Sequence, residues 1–356
     1  MSGDYGLRSA IPAVKKSLQQ FPDLHLLLIG DLDAINALLP VAISRERITL
    51  VASASVITAD DRPSRVLKTR PDSSMQLAID AVADRRAQGA VSAGNTGALM
   101  ALGVLRMGVM PEIKRPAICA PMPTREGVSW ILDLGANVDC DAQQLHQFAQ
   151  MGNALVKVLS ADSSYFSSSF WRKPESHRTA EKDSGFRQND EAGVNAPRIA
   201  LLNIGSEAGK GNALVQEAAQ LINDDIALNF VGFVEGNTLY DGAADVIVCD
   251  GFAGNVLLKT AEGVAGFIRE RLKLLAKQSL FTRLLAVLAM PLLKRLSAEM
   301  NADQYNGACL LGLKGVVVKS HGNASADAFA QAIACAYAAA KQDLPEKLMR
   351  ALSGAS

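Results

Sequence analysis

The chain has 356 residues, its 36 Lys and Arg balance 36 Asp and Glu, and 49% of its residues are hydrophobic. Zero net charge argues against a nucleic-acid-binding protein, which usually carries a basic domain. The hydrophobic content excludes a disordered chain. Because no run of 18 apolar residues occurs, the sequence predicts no membrane-spanning helix. The length suits a single domain over 1–356 with an ample core.

Taken in chain order, short apolar runs alternate with stretches of helical spacing. The strand-like runs are 24–29, 48–51, 90–93, 129–134, 198–204, 230–234, 245–249 and 315–319. Helical spacing marks 73–86, 98–107 and 324–341. Strands separated by helices form βαβ units, so the sequence predicts an α/β fold with a mostly parallel sheet and helices on both faces.

Two segments break this alternation. Residues 160–196 contain eight Ser and eleven charged residues but no Leu, Ile or Met, which predicts a disordered or mobile surface insertion. Residues 268–296 contain a ten-residue apolar stretch at 284–293 among seven Lys and Arg and one Glu. This second segment fits an oligomer contact, contact with an anionic membrane surface, or an ordinary core helix.

The cysteines and the first residues indicate the compartment. Five cysteines, scattered and odd in number, are typical of reduced thiols in a cytoplasmic protein. The first eight residues have no charged segment leading into an apolar stretch, so we expect no secretion signal and a cytoplasmic protein.

Polar side chains follow several predicted strands, where open α/β sheets bind their ligands. Gly94, Asn95 and Thr96 follow 90–93 and begin a helix, which makes either an anion site or a capped turn without a ligand. Gly205, Glu207 and Lys210 follow 198–204. This loop has the wrong spacing for a P-loop, and Lys210 is either an anion clamp or a solvated surface lysine.

A second group of polar residues follows the run 129–134. Asp133, Asn137 and Asp139 are candidates for Mg²⁺ binding or for holding their loop by hydrogen bonds, and we favour structural or substrate-orienting roles over metal. Asp141 and Gln144 have the spacing of a helix capping box.

The last candidates are Asp250, Gly254 and Asn255 after 245–249, and His321 after 315–319. No paired-His metal spacing, serine-hydrolase elbow or dinucleotide fingerprint is present in the sequence. The residues that remain suit a cleft that binds an anion and stabilises developing negative charge without a covalent nucleophile, a metal or a cofactor.

Five motifs resemble the PlsX family of phosphate acyltransferases. They are VSAGNTGALM at 91–100, ILDLGANVDC at 131–140, ALLNIG at 200–205 with KGN at 210–212, DVIVCDGFAGNVLLKT at 245–260, and NADQYNGACLLGLKGVVVKSHG at 301–322. The resemblance implies an isocitrate/isopropylmalate dehydrogenase-like fold with a protruding helical hairpin near 268–296. It also implies transfer of a fatty acyl group from acyl-[acyl-carrier protein] to inorganic phosphate, which gives acyl phosphate for phospholipid synthesis.

The resemblance further implies a homodimer, peripheral membrane association and a downstream glycerol-3-phosphate acyltransferase as partner. Lys210 and Asn255 match the family's site positions. We expect Lys210 to hold phosphate and Asn255 to donate to the oxyanion, with Asp250 orienting Lys210 and His321 managing protons. Asn95 and Thr96 would cradle phosphate.

Two departures from the family pattern affect these expectations. The family usually opens with a strand and an Asp-x-Met-Gly-Gly-Asp loop, whereas this chain begins inside that loop, so we expect the first strand to be absent. The insertion 160–196 also exceeds the usual family length. Two alternatives stay open: a metal-dependent decarboxylating dehydrogenase of the same fold, and a non-catalytic module that recruits carrier protein and membrane.

Overall fold

The computed structural model describes residues 3–40, 43, 45–58, 60–63, 69–161, 196–279, 281, 288–292 and 306–353. Residues 162–195, which make up nearly all of the predicted insertion, lie outside these ranges. In the segment 268–296, predicted as a hairpin, residues 280, 282–287 and 293–296 also lie outside these ranges.

Two helices and two strands between residues 7 and 52 form a small layer. It contains helix α1 (Leu7–Gln20), strand β1 (Leu26–Gly30), helix α2 (Leu32–Leu38) and strand β2 (Ile48–Ala52). β1 and β2 pair in parallel as a two-stranded sheet. This layer has its own apolar core, in which Ile11, Val14, Leu18 and Ile35 are buried because they share the inner faces of α1 and α2.

The central sheet has eight strands within the described ranges. These are β3 (Gly89–Ser92), β4 (Ala117–Thr124), β5 (Gly127–Leu132), β6 (Arg198–Leu202), β7 (Asn229–Val234), β8 (Val246–Val248), β9 (Ala308–Leu311) and β10 (Val316–Lys319). Their order is β3-β10-β9-β4-β5-β8-β6-β7. The pairings at the two sides are parallel, whereas β9 and β4 pair antiparallel with each other and with β10 and β5.

Helices cover both faces of this sheet. They are α3 (Ser74–Ala83), α4 (Thr96–Met107), α5 (Ala142–Ala161), α6 (Ala213–Asp224), α7 (Gly251–Lys277), α8 (Ala326–Lys341) and α9 (Leu344–Leu352). One core lies between the sheet and α5, α6, α8 and α9, and it buries Phe148 completely. The other lies beneath α3, α4 and the first turns of α7. The α/β class with helices on both faces is therefore confirmed.

Strand β4 is a central strand that the sequence did not predict. It contains Pro121 and Pro123, and proline is depleted from sheet interiors because it lacks an N–H group. The structure tolerates both prolines because β9 pairs only with residues 117–119 of β4. Beyond Cys119, one side of β4 is therefore free of a strand partner among the described residues and faces the cleft described below.

The helix caps follow the predicted chemistry. The backbone N–H of Gln144 donates to the Asp141 carboxylate over 2.7 Å, and the Asp141 N–H donates to the Gln144 side chain over 2.8 Å. This reciprocal pair is the predicted capping box, and it satisfies two N–H groups at the start of α5.

Candidate active site

A large open cleft of about 2920 Å³ contains six of the thirteen candidate site residues. Its walls include the loops after β3 and β10 on one side and the loops after β5, β6 and β8 on the other. These two sets of strands run in opposite directions because the β9–β4–β5 pairings are antiparallel. The cleft is lined by six of the predicted site residues: Gly94, Asn95, Thr96, Asp250, Asn255 and His321.

Asn95 begins α4 and holds the cleft wall in place. Its Oδ1 accepts the backbone N–H of Ala98 over 3.0 Å, and its Nδ2 donates to the Asp61 carbonyl over 3.2 Å. Both ends of the amide are therefore used within the protein. Phosphate binding at this point would therefore depend on the backbone N–H groups of the first turn of α4, where the helix dipole favours an anion.

Asp133 is completely buried beneath the cleft. Its carboxylate accepts hydrogen bonds from the N–H groups of Ile118, Ala136 and Asn137 and from the Asn137 side chain, over 2.6–3.1 Å. Burial raises the pKa of this carboxyl group, and the hydrogen bonds oppose the shift. Since both oxygens are occupied by N–H donors, Asp133 and Asn137 support the loop after β5.

This loop arrangement bears on the metal-dependent alternative and on Asp139. A dehydrogenase of that kind would need a cluster of metal-binding carboxylates, for which the sequence offers Asp133, Asp139 and Asp250. The Asp133 and Asp250 carboxylates accept backbone N–H groups instead. Asp139 is exposed and does not line the cleft.

Gly254 and Asn255 are adjacent in the first turns of α7, but Gly254 is a packing position whereas Asn255 faces the cleft. Gly254 is buried, and a Cβ built on it would lie 1.9 Å from the Asp133 carbonyl oxygen, so it permits close approach of α7 to the loop after β5. Asn255 is exposed in the cleft, with its side chain next to Gly135. Its amide forms no hydrogen bond with any other described residue, so its donors are available to a ligand.

Asp250 caps a helix in the structure. Its carboxylate accepts the N–H of Ala253 over 2.7 Å and so caps α7. No hydrogen bond or ion pair joins Asp250 to Lys210 within the described ranges, and the orienting role of Asp250 stays a prediction. A carboxylate at the N-cap satisfies a backbone donor and complements the helix dipole.

Lys210 lies on the exposed loop after β6, at the rim of the cleft. Asn203 fixes this loop by donating to the Lys210 carbonyl over 3.1 Å. The aliphatic part of the lysine side chain lies next to Gly205, as does the Glu207 carboxylate. Asn203, Gly211 and Asn212 of the same loop line the cleft, whereas Gly205, Glu207 and Lys210 do not.

His321 is paired with a carboxylate on α7. Its Nε2 lies 3.3 Å from Glu262 Oε1, and Lys259 Nζ lies 3.0 Å from Glu262 Oε2. The turn that carries His321 is fixed by the buried Asn306, whose Oδ1 accepts the His321 N–H over 3.0 Å. A histidine held by a carboxylate is suited to accept or donate a proton in the cleft.

The cleft is also lined by charged residues that the sequence did not predict, among them Asp4, Lys259, Glu262 and Lys319. Burial, together with the nearby charge of Lys259, lowers the pKa of Lys319 to about 8, and Asp4 opposes the shift. One signal was available, because Asn255, Lys259 and Glu262 have i, i+4, i+7 spacing and so share one helix face. Asp4 gave no such signal, since its backbone N–H reaches Gly322 only in the folded chain.

Comparison with known proteins decides the family. The model of a family described as "Fatty acid synthesis protein" matches residues 1–165 and 182–347. A phosphate acyltransferase of Pseudomonas syringae pv. syringae is 44% identical over 350 residues, which cover 98% of this chain and 93% of the relative. The chain belongs to the phosphate acyltransferase family. The predicted family and enzyme class are thereby confirmed.

Other members and more distant structures agree with this assignment. A phosphate acyltransferase of Pseudomonas putida is 44% identical over 351 residues, covering 98% of this chain and 94% of the relative. A phosphotransacetylase from Streptococcus pyogenes shares the fold, with a TM-score of 0.57, 16% identity and coverage of 94% and 91% of the two chains. A branched-chain phosphotransacylase from Enterococcus faecalis has a TM-score of 0.51 at 13% identity, with coverage of 93% and 95%.

Proposed function

We propose that this phosphate acyltransferase moves a fatty acyl group from acyl-[acyl-carrier protein] to inorganic phosphate, giving acyl phosphate for phospholipid synthesis. Family membership supports the acyl transfer to phosphate. The mechanism depends on one observation: the Asn255 amide lines the cleft without a hydrogen-bond partner among the described residues. Helix α4 begins at the opposite wall of the cleft.

The reaction requires no covalent enzyme intermediate because a thioester is already activated. An oxygen of hydrogen phosphate attacks the thioester carbonyl carbon, the C–S bond breaks, and the proton released from phosphate ends on the leaving thiolate. Holding phosphate beside the carbonyl contributes on the order of 7–11 kcal/mol. In this scheme, Asn255 donates to the oxyanion and Lys210 neutralises charge at the rim.

His321 supplies the proton step in this proposal. Its ring lies in the cleft and is held by Glu262, so it can take the phosphate proton and pass it to the departing thiolate. The loop after β5 and helix α7 are held in position by Asp133, Asn137 and Gly254. We assign these three residues this positioning role in place of substrate contact.

The decisive experiment is an assay of the purified chain with acyl-[acyl-carrier protein] and radiolabelled phosphate. We expect label to appear in an acyl phosphate in equal amount to the carrier thiol released, because each turnover produces one of each. Release of free fatty acid at a rate independent of phosphate would show a thioesterase instead. Binding of the carrier protein without any turnover would support the recruitment module.

We further propose a homodimer that contacts the cytoplasmic membrane surface and hands acyl phosphate to the glycerol-3-phosphate acyltransferase. Helix α7 supports the dimer, because it leaves a row of apolar side chains exposed along its second half, among them Val264, Phe267, Leu272 and Leu275. No helix in the described part of the chain is long and apolar enough to cross a membrane.

The membrane contact makes a prediction for Leu288, which is 69% exposed near the exposed Met290 and Leu292. Leu288→Glu should reduce binding to anionic vesicles by at least about fivefold, because a carboxylate opposes both apolar insertion and attraction to anionic lipid. Co-sedimentation with vesicles measures this. Leu105→Glu, at a 62% exposed leucine of α4, is the matched control and should leave binding unchanged. Equal binding of the wild type and the Leu288 variant would contradict the membrane contact.

A further inference from the structure

Lys319 is a partly buried lysine at the end of β10. Its backbone is paired with Ser92 of β3 on one side and Ala308 of β9 on the other, so its position is set by three strands. Its ammonium donates to the adjacent Ser320 carbonyl. Across the described ranges, no carboxylate lies within ion-pair distance of this ammonium.

Burying an ammonium without an ion pair is unfavourable, and proteins usually avoid it. The unfavourable setting is evident in the pKa of Lys319, which burial and Lys259 lower to about 8. That value still lies above neutral pH, so the amine is mainly protonated at pH 7. A retained positive charge that faces an open cleft is suited to bind an anion from solution.

Lys259 brings a second positive charge to the same region. It projects from α7 into the cleft, one turn after Asn255, and its charge acts on Lys319. Its ion-pair partner Glu262 is shared with His321, so that one carboxylate serves two basic groups. The Asp4 carboxylate also acts on Lys319, and the Asp4 N–H donates to the Gly322 carbonyl in the adjacent turn over 2.7 Å.

The surrounding backbone completes an arrangement suited to a tetrahedral oxyanion. The end of β3, paired with Lys319, leads within four residues to the first turn of α4, whose Thr96 and Gly97 also line the cleft. Hydrogen phosphate offers acceptor oxygens to the two ammonium groups and one O–H group to a carboxylate. Asp4 is therefore compatible with the same ligand.

We propose that Lys319 and Lys259 bind the inorganic phosphate that attacks the acyl thioester. This inference rests on the proposed function and assigns its phosphate subsite to the junction of β3, β10 and α7. Lys210, which does not line the cleft, is then left to neutralise charge at its rim.

The test compares Lys319→Met and Lys259→Met with Lys314→Met, a control at the other end of β10 that does not line the cleft. Loss of one charge-assisted contact should raise the KM for phosphate about 10- to 100-fold for Lys319→Met, with the KM for the acyl donor within twofold of the wild-type value. Lys259→Met should raise the same constant about fivefold. Lys259 is exposed, so its variant is expected to fold even where Lys319→Met does not.

Calorimetric titration with inorganic phosphate, without acyl donor, separates this inference from the proposed function. Weaker phosphate binding by both variants, with Lys314→Met unchanged, supports the subsite whether or not the chain turns over. The subsite is wrong if the folded Lys259 variant keeps both the wild-type KM for phosphate and the wild-type calorimetric Kd. The same holds for the Lys319 variant where it folds. This conclusion stands even if the chain forms acyl phosphate.

Discussion

Gly254→Ala should destabilise the protein by about 3 kcal/mol, a large effect for the addition of one methyl group. The added Cβ would lie 1.9 Å from the carbonyl oxygen of Asp133, 2.9 Å from its carbonyl carbon and 3.0 Å from Cys249 Sγ. The first two are backbone atoms of a loop that the buried Asp133 carboxylate already fixes. No side-chain rotation relieves this overlap, so either α7 or the loop after β5 must move.

Urea denaturation of the variant measures this change as a lower midpoint at an unchanged slope. Gly263→Ala in the same helix is the matched control, since a Cβ built there meets nothing within 4 Å. Alanine is the better helix former, so this control should gain up to about 1 kcal/mol. Equal stability of the two variants would show that α7 does not approach the loop after β5 as closely as described.

The sequence predicted the strand–helix alternation well because most strands are continuous apolar runs. β5, β6, β8 and β10 are found within or close to the predicted runs. Strands β4 and β9 escaped prediction for local reasons, since β4 carries two prolines and β9 is a four-residue strand beside two glycines. Their antiparallel pairing also reverses half the sheet, which no local pattern reveals.

The candidate site was predictable only where a residue's role is local. Asn255 lies in the first turns of a helix that follows a strand, so its position in the cleft could be inferred from the sequence. Asp133 follows a strand as well, yet its role depends on N–H groups of residues 118, 136 and 137 that converge only in the fold. The pKa of Lys319 is lowered in part by the charge of Lys259 on α7, 60 residues earlier in the chain.

Replacing either Lys210 or Asn255, the two residues that match the family's site positions, should lower kcat. Lys210→Ala removes a positive charge from the cleft rim, and its side chain is exposed, so folding should be unaffected. This variant is assayed beside Asn255→Ala in the same acyl phosphate assay. A parallel loss in both would support transition-state stabilisation from two sides of the thioester.

Asn255→Ala should lower kcat about 10²- to 10³-fold with little change in the KM for either substrate. The reason is that its free amide donates to charge that develops only in the transition state, and one such donor is worth roughly 3–4 kcal/mol. Asn255→Asp keeps the shape but replaces the donor by a negative charge, so its kcat should be lower still. Steady-state kinetics with acyl-[acyl-carrier protein] and phosphate provide the measurement.

The structure also explains why a lower kcat of Asn255→Ala would reflect the chemical step and not a loss of folding. Asn255 is exposed and hydrogen-bonds to no other described residue, so its truncation should change the free energy of unfolding by less than about 0.5 kcal/mol. Asn229→Ala, at the amino end of β7 and outside the cleft, controls for loss of an exposed amide and should keep its kcat. If Asn255→Ala kept kcat within threefold of the wild-type value, the oxyanion would have to be stabilised by backbone N–H groups, and the role assigned to this side chain would be wrong.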